Sequence, residues 1–307
     1  MVKIQNMKSS DWKEVSRLNT LAFNTYNQNI GSEPSVSYRS RANIEACLAM
    51  FPDGCFVAKE NHLLGYIFSR YWGKHGWIGT FGVTPESQGK GVGKQLIQCA
   101  IESINKHKCE SIGLETMPDS SYNVGMYAKL GFCPVSSTLI LEKPTNFSVI
   151  PVSYEKLSLL PKEEALSAVY QLSHIAWNGL DYTLEVKNAN EYKWGETLLC
   201  GWPQPWAIAI IRTFPVIEGV FKPICEVNAV VIHPNKSHLF PTVLQAIETF
   251  AKTQNISKIS LPINSIYWAE LQEALKYGFR VSRAMQRMIL KQSNSYPLGI
   301  DLSKWLM

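Results

Sequence analysis

The chain has 307 residues, of which 46% are hydrophobic and 18% charged, and its formal net charge is +5. That is long for one compact domain and too apolar for a disordered segment, so two folded domains are expected. Basic and acidic residues are interspersed in both halves, without the concentrated Lys/Arg footprint of a nucleic-acid-binding protein, and no nucleic-acid partner is expected. The seven cysteines (Cys47, Cys55, Cys99, Cys109, Cys133, Cys200 and Cys225) are odd in number, scattered and without a CxxC pair. This argues against a disulfide framework and a thiolate zinc site, and no metal is expected. No apolar h-region follows the first lysine, and no run approaches the roughly 18 apolar residues of a membrane span. A soluble cytoplasmic protein with no membrane partner is therefore predicted.

In chain order, Asp11 with Glu14 three residues on resembles a capping box, and Trp12, Val15, Leu18, Ala22 and Phe23 recur at helical spacing, predicting a helix over 11–24. Ile44, Cys47, Leu48 and Phe51 predict a second helix, stopped by Pro52-Asp53-Gly54. Segments 55–60, 63–71 and 76–84 read as three consecutive antiparallel strands, with His62 and His75 in the turns between them. Leu96, Ile97, Ala100, Ile101 and Ile104 predict a helix over 92–107. A strand over 111–117, a helix over 120–130 ending at Gly131, and a strand to about Leu141 complete the first half.

The second half repeats this plan at an offset of about 147 residues. Val83-Thr84-Pro85 is echoed by Ile232-His233-Pro234, and Lys129-Leu130-Gly131-Phe132 by Lys276-Tyr277-Gly278-Phe279. Two copies of one α+β unit, 1–146 and 147–307, joined around Lys143 to Phe147, account for the pattern.

The stretch most loaded with chemistry is Val83-Thr84-Pro85-Glu86-Ser87-Gln88-Gly89-Lys90-Gly91-Val92-Gly93-Lys94, between a predicted strand and a predicted amphipathic helix. Three glycines in five positions allow a sharp turn and bring N–H groups close to a ligand, and the helix start behind them favours negative charge. A phosphate site is the natural expectation. A dinucleotide fingerprint needs glycine where Lys94 stands, and a Walker A loop needs Ser or Thr where Gln95 stands, so neither applies.

The loop resembles the acyl-CoA pyrophosphate loop of the GNAT N-acetyltransferase superfamily, whose Gln/Arg-x-x-Gly-x-Gly/Ala pattern falls on Gln88, Gly91 and Gly93. The family's later signature is matched by Asn123, Tyr127, Gly131 and Phe132, and the element order of 1–142 agrees. The resemblance implies an α+β fold of two tandem GNAT domains, each a mixed, mostly antiparallel sheet flanked by helices. It implies direct attack of a primary amine on the thioester of acetyl-CoA, the cosubstrate, in a ternary complex. The residues implied for the cofactor are Phe81, Gly82 and Val83 along the pantetheine arm, Gln88, Gly89, Lys90, Gly91, Val92, Gly93 and Lys94 around the pyrophosphate, and Asn123. The Val83 N–H is the implied donor to the thioester carbonyl. Tyr127 is the implied general acid for the departing thiolate, against the alternative that it only packs with Met126, Leu130 and Phe132. The base is open between Glu115, on the strand opposite the cofactor, and Glu33, in the loop between the first two helices; each is equally readable as a surface carboxylate.

Aligned on its Gly-Phe end, the second half carries Ala274 in place of Tyr127 and Glu270 in place of Asn123, and 237–242 (SHLFPT) replaces the glycine loop. A degenerate copy that does not take CoA in the usual way is expected, shaping the acceptor cleft or serving as a built-in partner. Its aromatics, Trp177, Tyr182, Tyr192, Trp194, Trp202 and Trp206, with Asp181 and Glu185, suit either packing or a pocket for an amine ligand. The expected activity is acetylation of a small-molecule or peptide amine by a monomer or homodimer. The alternative is a non-catalytic acyl-CoA-binding sensor or scaffold.

Overall fold

The computed structural model describes residues 2–29, 31, 33–34, 36, 38–213, 224–291 and 297–303. In the first half β1 (Lys3–Asn6) precedes α1 (Trp12–Asn29) and α2 (Arg41–Met50). An antiparallel meander follows, β2 (Phe56–Lys59), β3 (Leu63–Trp72) and β4 (His75–Val83); then α3 (Val92–Lys106) leads to β5 (Ser111–Thr116), and α4 (Ser121–Lys129) to β6 (Cys133–Pro144). The second half repeats the order with β7 (Glu155–Lys156), α5 (Lys162–Ala176), α6 (Thr183–Glu191), β8 (Gly195–Cys200), β9 (Ala207–Arg212) and β10 (Cys225–Ile232). It continues through α7 (Phe240–Thr253), β11 (Lys258–Asn264), α8 (Trp268–Lys276) and β12 (Arg280–Lys291), and adds a last strand, β13 (Ile300–Ser303).

The periodicities act as expected. The 3.6-residue stripe of α3 buries Val92, Leu96, Ile97, Ala100 and Ile104 on Ile67, Ile78, Ile112 and Leu114 of the sheet. Each fully buried Leu or Ile contributes about 1.5–3 kcal/mol. The corresponding stripe of α7, with Val243, Leu244, Ile247 and Phe250, covers the second half of the sheet. Three expectations need correction. Asp11 does not cap α1: it sits in a 3₁₀ turn before it, where its carboxylate accepts from the Lys8 N–H at 2.8 Å and pairs with Lys59 Nζ at 2.7 Å. β1 was not expected, because four residues carry too little periodicity to be read. His75 is not an exposed turn residue: it is fully buried, with Nδ1 2.8 Å from Ser111 Oγ and Nε2 3.2 Å from the Asn178 carbonyl.

The halves do not close separately. One sheet runs β1-β2-β3-β4-β5-β12-β6-β11-β10-β9-β8-β7. The last long strand of each half lies against the other: β12 pairs with β5, β6 pairs with β11, and β6 and β12 pair with each other over Arg280↔Glu142 to Ile289↔Cys133. The hydrogen bonding thus interlocks the two repeats. Other ties reinforce the join. Arg70 of β3 pairs with Glu185 of α6 at 3.0 Å, and Glu185 also lies 3.5 Å from Arg212. Trp72 and Trp77 enter the apolar cluster of α5 and α6. The architecture is α+β, a mixed and mostly antiparallel sheet flanked by helices, built of two tandem units.

Candidate active site

β4 and β5 pair in parallel only from His75↔Ser111 to Ile78↔Leu114 and then separate. The cause lies in β4. Ile67↔Phe81 and Phe68↔Gly79 are consecutive pairs with β3, so Thr80 is an extra residue, and the bulge bends the strand away from its parallel neighbour. Beyond the bulge, the Thr84 N–H donates to the Leu64 carbonyl at 2.9 Å, which makes Gly65↔Val83 a non-hydrogen-bonded pair. By the alternation of an antiparallel ladder, Val83 and Phe81 then turn their N–H and C=O groups away from β3, into the fork. Gln88 Nε2 reaches back to the Val83 carbonyl at 3.5 Å.

At the end of this edge, a 3₁₀ turn over Pro85–Ser87 leads into the glycine loop. Gly89 and Gly91 have φ of +75° and +83°, and a Cβ on either would meet nothing within 4 Å. Glycine is required there for the left-handed backbone and leaves the loop open to a ligand. The first intrahelical bond of α3 is Gln95 N–H to the Gly91 carbonyl at 3.1 Å, and no side chain caps the helix. The N–H groups of Val92, Gly93 and Lys94 therefore have no backbone or capping acceptor among the described residues and stand at a positive helix end, beside the exposed Lys90 and Lys94. Gly93 serves packing: a Cβ there would come 3.1 Å from Phe81 Cζ.

Tyr127 lies on α4, whose start is capped by Ser120 Oγ accepting the Asn123 N–H at 3.4 Å. Its ring packs edge-on against Phe132 at 5.9 Å and is 7% exposed. Its hydroxyl has no hydrogen-bond partner among the described residues. Burial pushes the phenol well above its usual range, which keeps it protonated and able to donate. Asn123 is half-buried one turn earlier. Glu115 is the first residue of β5 past the paired segment, so it stands at the fork itself. Its side chain is fully buried, accepts from Arg287 Nε and Nη2 at 3.1 and 2.9 Å, and also accepts from the Thr138 hydroxyl. Glu33 is exposed between α1 and α2 and makes no hydrogen bond or ion pair with the fork among the described residues.

The second half repeats the bulge, with Asn228 as the extra residue between Val227↔Ile211 and Ala229↔Ile210. Its β10 pairs with β11 at Cys225↔Ile259 and Glu226↔Ser260 and then parts from it. The His233 N–H donates to the Trp206 carbonyl at 2.8 Å, as Thr84 does to Leu64, so Ile232 and Val230 face the gap as Val83 and Phe81 do. Here the gap is filled: β13 pairs antiparallel with β10 from Ile232↔Ile300 to Ala229↔Ser303. The start of α7 carries Pro241 and the bulk of Phe240, and no glycine precedes it. Ala274, in Tyr127's place, is fully buried.

The second-half aromatics are mostly spent on packing. Trp177 lies 4.0 Å from the His75 ring, Tyr192 stacks on Trp194 at 4.8 Å, and Tyr182 donates to Asp301 at 2.9 Å. Asp181 accepts the Thr183 N–H, and Glu185 holds its two arginines. Sequence reasoning missed Arg287 and β13, because neither belongs to the repeat that contains the fork. It also missed the hydrogen bond from Tyr26 on α1 to Asp119, beyond β5. Among the described residues, no group of three His, Cys, Asp or Glu is placed to hold a metal, and no helix is long and apolar enough to cross a membrane.

The acetyltransferase (GNAT) family model matches residues 13–132. Over 110 residues the chain is 34% identical to a mycothiol acetyltransferase of Paenarthrobacter aurescens, covering 32% of this chain and 34% of that protein. Over 81 residues it is 31% identical to N-alpha-acetyltransferase 30 of Saccharomyces cerevisiae, covering 26% and 43%. The chain thus spans less than half of either curated relative. Among solved structures, a putative acetyltransferase from Pyrococcus horikoshii superposes with a TM-score of 0.69 at 18% identity, over 95% of this chain and 90% of that one. A tandem GNAT protein of the clavulanic acid biosynthesis pathway gives 0.58 at 11% identity, over 95% and 98%. Those two likenesses run the length of the chain and establish the fold, while the family match falls on the half with the open fork. Residues 13–132 therefore match the GNAT acetyltransferase family model, and the chain as a whole shares the fold of these two structures, one of them a tandem GNAT protein.

Proposed function

We infer that residues 1–146 carry an acetyl-CoA-dependent N-acetyltransferase acting on a primary amine, with 147–307 as its built-in structural partner. The observation that carries this reading is the edge of β4 past the Thr80 bulge, which no strand among the described residues pairs with on the fork side. The equivalent edge of β10 is occupied by an extended backbone, which supports reading the β4 edge as a seat for another. The chain's groups suit each part of the cosubstrate. N–H groups of the glycine loop and of Val92, Gly93 and Lys94 would hold the pyrophosphate, with Lys90 and Lys94 adding charge. The edge of Phe81, Gly82 and Val83 would pair with the amide-bearing arm, with the Val83 N–H directed at the thioester carbonyl.

When bound, acetyl-CoA supplies the activated acetyl group. The Tyr127 phenol, kept protonated by burial and with its hydroxyl uncommitted, gives a proton to the leaving sulfur. Glu115, paired with Arg287 at the fork, draws the cationic amine and receives its proton through water. Glu33, exposed between α1 and α2, is the second proposed acceptor. The curated relatives carry names referring to mycothiol and to an alpha amino group, and both a small molecule and a peptide fit the proposal. The test is product formation from acetyl-CoA with polyamines, amino sugars and peptide N-termini. Tyr127→Phe is expected to lower kcat by on the order of 10²-fold with little change in the KM for acetyl-CoA. Unchanged turnover would remove Tyr127 from the reaction, and the absence of product with every amine would leave a binding protein.

A further inference from the structure

Among the described residues β13 has no counterpart in the first half, and its contacts reach back to the fork. All four of its residues are buried, and its approach is fixed by the Leu298 and Gly299 N–H groups, which donate to the Ala176 carbonyl at 2.7 and 2.9 Å. Ile300 and Leu302 enter the apolar cluster beneath α7. Asp301 and Ser303 alternate to the opposite side. There Asp301 accepts from the Tyr182 hydroxyl at 2.9 Å and the Ser303 hydroxyl at 3.3 Å, and its N–H donates to Tyr267 Oη at 3.1 Å. The Ser303 carbonyl accepts from Arg287 Nη2 at 3.0 Å. The same guanidinium holds Glu115 and lies 5.2 Å from the Trp77 ring centroid.

Resting on the acetyltransferase reading above, we propose that the second-half cleft is a strand-binding site whose occupant, Ile300–Ser303, positions the reaction in the first half by fixing Arg287 and, through it, Glu115. Glu115 is a wholly buried carboxylate and depends on its cation, since an uncompensated charge there is strongly unfavourable. Arg287 is a long side chain with many rotamers, and the Ser303 carbonyl is one of the contacts that select among them, with Glu115 and the Trp77 ring. Arg287 and β13 are therefore positioning groups, acting on the reaction through Glu115.

The test uses the full chain. Leu302→Asp puts a carboxylate into the apolar cluster and unseats β13. Turnover of an accepted amine should fall by about tenfold or more, as expected when a reacting group shifts by an ångström or so. Affinity for CoA, read by calorimetry, should stay within about twofold, because the loop donors do not touch β13, and tenfold would need about 1.4 kcal/mol. A synthetic peptide of residues 297–307 should restore kcat saturably. Arg287→Lys keeps a cation beside Glu115 but cannot span both Glu115 and Ser303; it should lower kcat alone, and it carries the test if Leu302→Asp does not fold. Unchanged kcat in a folded variant, or equal losses in kcat and CoA affinity, overturns the proposal. Should the unaltered chain bind CoA yet acetylate nothing, the acetyltransferase reading fails instead. Hydrogen exchange then decides the link by itself: amides of 112–116 must exchange faster in Leu302→Asp, and unchanged rates refute it.

Discussion

At the scale of single residues, the side chains that matter here are set by what surrounds them. His75 shows this most plainly. Burial lowers its imidazole from 6.5 to about 4. Its stabilising contribution is therefore complete above the unfolded value and is lost as pH falls through the folded one. Asp301 runs the other way: burial raises it to about 6, so its contribution is complete below the ordinary carboxylate value and is lost as pH rises through 6. The two trends oppose each other, and the pH profile of the whole protein hides both. Comparison with His75→Gln separates them. Between pH 7 and pH 4 the wild type should lose about 3 kcal/mol of urea stability relative to the variant, at about 1.4 kcal/mol per pH unit. A constant difference would mean that His75 is not held neutral. Neither behaviour was legible beforehand, since a histidine between two strands reads as a turn residue until the chain that covers it, Asn178 and Trp177, is known.

At the scale of elements, the local signals were strong where one periodicity ran unbroken. α3 and the β2–β4 meander lie within a residue or two of their expected limits, because alternation and helical spacing report burial directly. The glycine loop was equally legible, since only a backbone needing positive φ spends glycine at both Gly89 and Gly91. The fork was not legible, because a bulge such as Thr80 leaves no mark in composition. The loop makes a separate prediction. Gly91→Ala forces an L-residue into φ +83°, at about 1–2 kcal/mol, although its Cβ meets no neighbour. If a ligand pins the loop in this conformation, CoA should bind roughly tenfold more weakly to the variant. Unaltered affinity by calorimetry would show that the loop does not hold the ligand.

At the scale of the whole molecule, the repeat is legible as two units but carries no hint that they exchange strands. Exchange is invisible in sequence because β6 and β12 each alternate in a way that fits either partner; only the pairing of β5 with β12 and of β11 with β6 distinguishes them. Residues 1–146 alone would leave β5 without its neighbour and expose the edges of β6, the condition that leads sheets to aggregate or swap. Expressed alone, that fragment should be insoluble or dimeric in light scattering, and co-expression with 147–307 should recover a 1:1 complex. A stable, folded monomeric fragment would contradict the interlocked sheet. One fork stands open, and its twin is filled by the chain itself. Titration with CoA, followed by hydrogen exchange of the complex, tests it most directly. One site per chain is expected, with exchange slowed at amides of residues 81, 83 and 92–94 and unchanged at 229–232. No binding, two sites, or protection confined to the second half would contradict it.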